Sequence, residues 1–470
     1  MVGILFVELS IESRRLNYGI AYLSAVCKEA GHETALLEVN SPKREEIFRA
    51  IRAKLRNFPA KVLAISLNEV YSDIGEEVAY AAKSADPSIL VIAGGAYPSL
   101  VPEQVLSSPN FDAVLIGEAE ISLISLLSCH SKKSPEWNFP KKLKGVHYKR
   151  NGKISKGGLP VLPNLDSLPL PDISLFSRNA LAPRFGGKRH MGAIVSRGCI
   201  FSCTYCYSSR IGNPEGTLPG YYRRLSHDRA IEVIRHVSEK ARPDRIFFLD
   251  PIFFPSAKIA GKFPEMYSRE IGIPCYGVQR PDLCTRGMAE AMRKCLAEKI
   301  TMGIESASED LRRRVLGRNI PDAALKKGFK NVRRAGISPG AFSMIGFPYQ
   351  PKKDVIEICR ISAKIADYNE VSMFFPEKGT VLGNLCHKNG WVDTSKKQRS
   401  FGEANTVLLT NGEMDRATIN SLYLAVSPLT KYYKRDFLGA AVDSARMFGR
   451  IAFGGVFGGD FALLKALAPR

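Results

Sequence analysis

The sequence predicts two α/β domains in tandem, a Rossmann-like domain followed by a partial (β/α)6 barrel of the TIM type, with a helical region at the C-terminal end. Three observations predict this. Short apolar, β-branched runs recur with helix-length amphipathic segments between them. The alternation occurs twice, over residues 1–130 and again over 185–385. A lysine- and proline-bearing stretch of different character, 131–184, lies between. The 470 residues also exceed the size at which a single core stops growing.

In the first domain the strands are expected at 4–7, 34–37, 62–66, 89–93 and 113–116, with helical spacing between them, as at Ile20, Leu23, Ala25 and Val26. Alternating β and α means a parallel sheet, and a ligand of such a sheet sits beyond the carboxyl ends of the strands. The loops there are 8–18, 68–73, Gly94-Gly95-Ala96-Tyr97-Pro98 and Gly117-Glu118-Ala119-Glu120. Gly94 and Gly95 would let a flat ligand approach the backbone closely, a use they share with any tight strand-to-helix turn.

The proline spacing of Leu162-Pro-Asn-Leu-Asp-Ser-Leu-Pro-Leu-Pro171 favours an extended connector. Within that connector, 146–149 and 153–155, separated by Arg150-Asn-Gly152, read as a small hairpin. Six further strands are expected at 193–196, 246–250, 275–278, 300–303, 340–345 and 370–374. Six βα units give a partial barrel with its chemistry at the carboxyl ends of the strands. Residues 386–470 are expected to form the helical C-terminal region.

Composition excludes some classes. Ten cysteines in this length are too sparse for a disulfide scaffold, and no apolar run is long enough to span a bilayer. The opening Val2-Gly-Ile-Leu-Phe-Val7 reads as a strand, not a secretory leader, so a cytoplasmic location is expected. The net charge of +21 is spread along the chain, with local excesses at 132–156 and at Arg312-Arg313-Arg314. These are read as solvated faces, and no stable nucleic-acid partner is expected.

The most specific motif is Ser196-Arg-Gly-Cys-Ile-Phe-Ser-Cys-Thr-Tyr-Cys-Tyr207. Its C-x3-C-x2-C spacing places the thiolates of Cys199, Cys203 and Cys206 within reach of one iron–sulfur cubane and leaves one iron open for another ligand. Zinc would want a fourth ligand at a similar spacing, and none follows nearby. With Tyr205 as the aromatic before the third cysteine, the motif resembles that of the radical SAM superfamily. The resemblance implies a 4Fe–4S cluster whose open iron binds S-adenosylmethionine (SAM), which is reductively cleaved to a 5′-deoxyadenosyl radical.

Four strings ahead of the triplet extend the resemblance. Asn17-Tyr-Gly-Ile-Ala-Tyr-Leu23, Ala30-Gly-His-Glu33, Ala93-Gly-Gly-Ala-Tyr-Pro98 and Phe111-Asp-Ala-Val-Leu-Ile-Gly-Glu-Ala-Glu120, in that order, are similar to the cobalamin-binding domain of the cobalamin-dependent radical SAM methyltransferase class. This implies cobalamin as a further cofactor, with Gly94, Gly95, Gly117 and Glu118 at its site. The D-x-H-x-x-G motif that ligates cobalt in methionine-synthase-type domains is absent, because the first strand is followed by Glu8-Leu-Ser-Ile-Glu-Ser-Arg-Arg. No histidine of this loop is expected on cobalt, and His32 is expected to be structural.

The same resemblance assigns SAM contacts. Asp250, at the end of the second barrel strand, falls where the class places a group near the SAM amino end, with a helix-capping role as its alternative. Glu305, in Met302-Gly-Ile-Glu-Ser-Ala-Ser308, resembles the carboxylate that accepts hydrogen bonds from the ribose hydroxyls. Gly346, in Ser343-Met-Ile-Gly-Phe-Pro348, belongs to the segment whose backbone flanks adenine, and Arg280 is a candidate cation for the SAM carboxylate. The remaining seven cysteines show no second close-spaced set, so they are read as buried small hydrophobes.

The resemblance implies a methyltransferase acting on an unactivated carbon or a phosphinate-type centre of a small-molecule, lipid or peptide substrate, with an electron donor such as flavodoxin or ferredoxin. The alternatives are a non-methylating rearrangement or cyclisation in the same class, and a methylthiotransferase-like RNA-modifying enzyme. The latter needs three further cluster cysteines in the first domain, which holds only Cys27 and Cys129. The terminal Phe448-Gly-Arg-Ile-Ala-Phe-Gly-Gly-Val-Phe-Gly-Gly-Asp-Phe461 spreads its phenylalanines over too wide an arc for an interfacial helix. It is expected to pack on the barrel, with peripheral membrane contact as the alternative.

Overall fold

The computed structural model describes residues 1–10, 15–130, 137–211, 222–398, 402–436, 439–440 and 442–444. Strands β1 (Gly3–Leu9), β2 (Glu33–Val39), β3 (Val62–Ser66), β4 (Leu90–Gly94), β5 (Ala113–Leu115), β6 (Val146–Arg150) and β7 (Lys153–Lys156) form one sheet in the order β2-β1-β3-β4-β5-β6-β7. The first five are parallel. Ile4, Phe6, Val62 and Ile92 point into one core, and Leu5, Val7, Leu63 and Val91 into a second on the opposite face. Burial on both faces is why these strands read as unbroken apolar runs.

The hairpin expected inside the connector is present as β6 and β7, but it is not free-standing. Val146, His147 and Tyr148 pair antiparallel with Leu115, Val114 and Ala113, so the hairpin lengthens the first sheet and Tyr148 is fully buried.

The second sheet contains β8 (Arg184–Phe185), β9 (Lys188–Ala193), β12 (Arg245–Phe248), β13 (Cys275–Gln279), β14 (Ala297–Glu305), β15 (Ser338–Ile345) and β16 (Tyr368–Met373), ordered β16-β15-β14-β13-β12-β9-β8. Six of these are parallel, and β8 closes antiparallel on β9. The first barrel strand ends three residues earlier than its apolar run suggests. Ser196–Arg197 instead forms β10, antiparallel to β11 (Arg223–Arg224), and this pair staples the base of the cysteine loop.

The two sheets meet near their carboxyl ends. Asn17 caps the helix Tyr18–Glu29 by accepting from the Ile20 amide. The first residue of that helix, Tyr18, donates its hydroxyl to Gly192 O of β9 at 3.0 Å. Leu16, Tyr18 and Ile20 share one apolar core with Met191, Ala193 and Val195. Each of the larger aliphatic side chains among them contributes roughly 1.5–3 kcal/mol by burial. Asp172 of the connector accepts from Ser24 at 2.5 Å and pairs with Lys28 at 2.7 Å, fixing the connector to the same helix.

The C-terminal region contains the helices Val381–Lys388 and Arg416–Tyr433. Ile419, Leu422 and Val426 of the longer one pack with Phe347, Met373 and Phe374 at the carboxyl ends of β15 and β16. The stretch 448–461 lies outside the described residues. Among the described residues no helix is long and apolar enough to cross a membrane.

Candidate functional site

Cys199, Cys203 and Cys206 are half-buried on the loop after β10. Gly198, with φ +78°, turns the chain into that loop. The loop rests on the segment after the helix Glu309–Arg314: the Thr204 amide donates to Leu316 O at 3.2 Å and its hydroxyl to Val315 O at 2.6 Å. Burial pushes the Cys206 thiol up to about 11 against hydrogen bonding from Ser208, and neighbouring Cys203 and Cys199 add to the rise. Burial raises Cys199 as well, with Arg280 and Arg318 opposing it. Among the described residues no three His, Cys, Asp or Glu side chains converge on a point for one metal ion. Three thiols on one loop, each in electrostatic reach of another, fit a cubane, in which each would take a different iron.

Glu305 ends β14 beside this loop. A register shift between Gly303 and Glu305 and a φ of +60° at Glu305 turn its side chain out of the strand pleat. A non-glycine residue in that region is strained by roughly 1–3 kcal/mol, which is typical of functional positions. Its Oε1 accepts from the Tyr205 hydroxyl at 3.3 Å and lies 3.7 Å from Arg318. No partner of Oε2 is found among the described residues, which leaves an acceptor suited to a diol. Burial raises the Glu305 carboxyl, opposed by Arg318, Tyr205 and Arg280. Gly303 leaves room for this pair, because a Cβ would push Glu305 Oε1 aside and come within 2.9 Å of Arg318 Nη2.

The other expected SAM contacts are placed differently. Asp250 has no exposed surface; its carboxylate accepts from the Val195 amide at 3.2 Å and from the Ser196 hydroxyl, with Arg224 nearby. It caps none of the described helices, and it fixes the strand end that leads into the cysteine loop. Arg280 is close to the loop, stacked 3.6 Å from the Phe201 ring centroid, but Asp282 fills its fork at 3.0 and 2.8 Å. Gly346, with φ +88°, is approached by a protein side chain, since a Cβ there would lie 2.9 Å from Ile419 Cγ2 of the C-terminal helix.

At the carboxyl ends of β1, β3, β4 and β5 a cavity of about 430 Å³ opens toward the cysteine loop. Gly94, Gly95, Gly117 and Glu118 line it from the first domain, and Gly198, Tyr207 and Ser208 from the second. A Cβ on Gly94 would have no neighbour closer than 4.0 Å, so its backbone is open to a ligand. Gly95 serves the fold, because at φ +107° a Cβ would lie 2.8 Å from Leu67 O. Glu118 joins the domains through Arg197 at 2.6 Å and through Arg223. The walls are mostly apolar, as a corrin edge requires, and no histidine is among the lining residues. His32 accepts from the Val2 amide at the amino end of β1, away from the cavity.

Three features escape a reading of the sequence. Arg318 touches both Tyr205 and Glu305, and its only local sign is its place directly after the Arg312–Gly317 run. Arg312, read as part of a solvated face, is 1% exposed and donates to the carbonyls of Ser306, Ala307 and Ile320. Glu69 and Glu377 meet between the domains, where the Lys378 amide donates to Glu69 at 2.8 Å. Burial pushes the two carboxyls up to about 7 and about 8, and Glu69 adds to the rise at Glu377.

Residues 6–127 match the model of the B12 binding domain and residues 193–361 that of the Radical SAM superfamily. An uncharacterized methyltransferase of Pyrococcus horikoshii is 25% identical over 384 residues, 80% of this chain and 79% of its own. The cytidylyl-2-hydroxyethylphosphonate methyltransferase of Streptomyces wedmorensis is 22% identical over 476 residues, 89% of this chain and 85% of its own. Among solved structures, the radical SAM methyltransferase TsrM of Kitasatospora setae, with cobalamin and a 4Fe–4S cluster bound, matches with a TM-score of 0.65 at 13% identity over 83% of this chain and 76% of that one. The cobalamin-dependent radical enzyme OxsB, with aqua-cobalamin and SAM bound, matches with a TM-score of 0.62 at 18% identity over 76% of this chain and 51% of that one. These structural likenesses are likenesses of fold. With a B12 binding domain ahead of a radical SAM domain, and the cavity of the one open to the cysteine loop of the other, the chain combines the two domains of a cobalamin-binding radical SAM enzyme.

Proposed function

We propose that the protein methylates an unactivated carbon of a small-molecule, lipid or peptide substrate. The observation that carries this reading is the shared cavity, whose walls come from the strand ends of the first sheet and from the cysteine loop. The two methyltransferase relatives support methyl transfer over rearrangement. When bound, the cofactors supply a 5′-deoxyadenosyl radical that takes a substrate hydrogen and a methyl group carried on cobalt.

The residues have separate tasks. Cys199, Cys203 and Cys206 would hold three irons of the cluster and leave the fourth for SAM. Glu305 offers Oε2 to the SAM ribose while Tyr205 and Arg318 fix Oε1. Gly94 and Gly117 admit the corrin against bare backbone, and Tyr18, Tyr22, Leu115 and Ile194 keep water away from a reactive radical. The described lining offers no histidine that could ligate cobalt. The net charge of +21 suits an acidic one-electron donor of the flavodoxin or ferredoxin kind.

The test is anaerobic turnover of the reconstituted enzyme with trideuteromethyl-SAM, a low-potential reductant and a small-molecule extract of the host cells. The reading expects a trideuteromethyl-labelled product, with S-adenosylhomocysteine and 5′-deoxyadenosine formed in equal amounts. 5′-Deoxyadenosine and a new unlabelled product without S-adenosylhomocysteine would identify a non-methylating reaction instead.

A further inference from the structure

Arg318 holds Glu305, and its surroundings are unusual for an arginine. Its side chain is only 7% exposed. Nη1 donates to the Tyr205 hydroxyl at 3.3 Å, between the second and third cysteines, and Nη2 donates to Gly303 O at 3.0 Å. Nε is buried without a partner. Among the described residues Glu305 is the one carboxylate paired with it, through a single contact at 3.7 Å. The other buried arginine beside the loop, Arg280, is matched at two points by Asp282.

The backbone holds this cation against the cysteine loop. Gly317, with φ +64°, lies so close that a Cβ would sit 3.2 Å from Thr204 Cγ2, and Val315 O and Leu316 O both accept from Thr204. A cubane held by three thiolates carries net negative charge, and reduction adds one more electron in a low-dielectric setting. A buried, incompletely matched cation facing that cluster stabilises the reduced form more than the oxidised form.

We propose that Arg318 is the positioning cation of the cluster: it ties Tyr205 and Glu305 together across the site and raises the cluster's reduction potential, easing transfer of one electron from the external donor. This rests on the assignment of Cys199, Cys203 and Cys206 as the cluster ligands.

The test is an anaerobic, dithionite-poised titration of the reconstituted holoprotein without SAM at pH 8.5, with the reduced cluster counted by electron paramagnetic resonance (EPR). At the potential that half-reduces the wild-type cluster, Arg318→Gln should lower the ratio of reduced to oxidised cluster about tenfold, a shift of about 59 mV for one electron. Arg318→Lys, which keeps the charge and loses the fork, should stay within about threefold of wild type. Glu305→Gln removes the opposing charge and should move the ratio the other way. A full cluster in Arg318→Gln with an unmoved potential would overturn the inference. If that variant holds no cluster, Glu305→Gln decides alone, and an unmoved or lowered ratio there would overturn it. A wild-type protein that takes up no cluster would overturn the cluster assignment itself, and the inference with it.

Discussion

Replacing Glu305 with glutamine separates its binding role from a structural one. The amide keeps the size of the side chain and can still accept from Tyr205, whose hydroxyl lies 3.3 Å from Oε1. The variant loses the charge and the ability of Oε2 to accept from the ribose. A hydrogen bond to a charged group contributes about 1.5–3 kcal/mol, so the dissociation constant for SAM should rise roughly 10- to 150-fold. Stability should change little, because burial already opposes the charged form of Glu305. The assay is anaerobic calorimetry of SAM binding to the cluster-loaded protein, with the cluster absorbance recorded beside it. An unchanged SAM affinity with an intact cluster would refute the ribose assignment. A lost cluster would show instead that Glu305 supports the cysteine loop.

Three further outcomes are expected. Gly317→Ala should cost about 1–2 kcal/mol through its left-handed backbone, and its cluster should lose iron to a chelator faster, because the Cβ displaces Thr204. Asp250→Ala strands the Val195 amide and the Ser196 hydroxyl and should cost on the order of 3 kcal/mol in chemical denaturation; a large loss of SAM affinity in protein that remains folded would return Asp250 to the ligand site. Glu377 has its carboxyl raised from an ordinary 4.5 to about 8, so the fold holds a proton that the unfolded chain has released. The stability this contributes is complete below about pH 4.5 and is lost as pH rises through about 8. Glu377→Gln should therefore gain on wild type between pH 5 and pH 9 by at least about 1.4 kcal/mol, one unit's worth after screening is allowed for. Parallel melting curves at the two values check this.

The parts legible in the sequence are those set by local pattern. Strands such as β3 and β4 are buried on both faces and therefore read as apolar runs, and the cysteine spacing is contained in one loop. Glu305 is legible because it ends a strand in a recognisable string. What stayed hidden depends on distant partners. Asp250 turns inward because Val195 and Ser196 bring it two donors from another strand end. Arg312 in its charge run is indistinguishable from its solvated neighbours until the carbonyls of Ser306 and Ile320 fold around it. The closeness of Ile419 to Gly346 comes from a helix whose docking leaves no mark near residue 346. Glu69 and Glu377 meet only because the domains do.

The central claim is that the first-domain cavity seats cobalamin against the cysteine loop, and the most direct measurement is EPR of the cobalamin-loaded, reconstituted protein with cobalt in the cob(II)alamin state. The expected cob(II)alamin signal has no nitrogen superhyperfine splitting, since no histidine is among the described residues that line the cavity. The signal is also expected to broaden when the cluster is reduced, because Gly94 and Gly117 share the cavity with Gly198 and Tyr207. A nitrogen-split signal, or one that reduction of the cluster leaves unchanged, would contradict the claim.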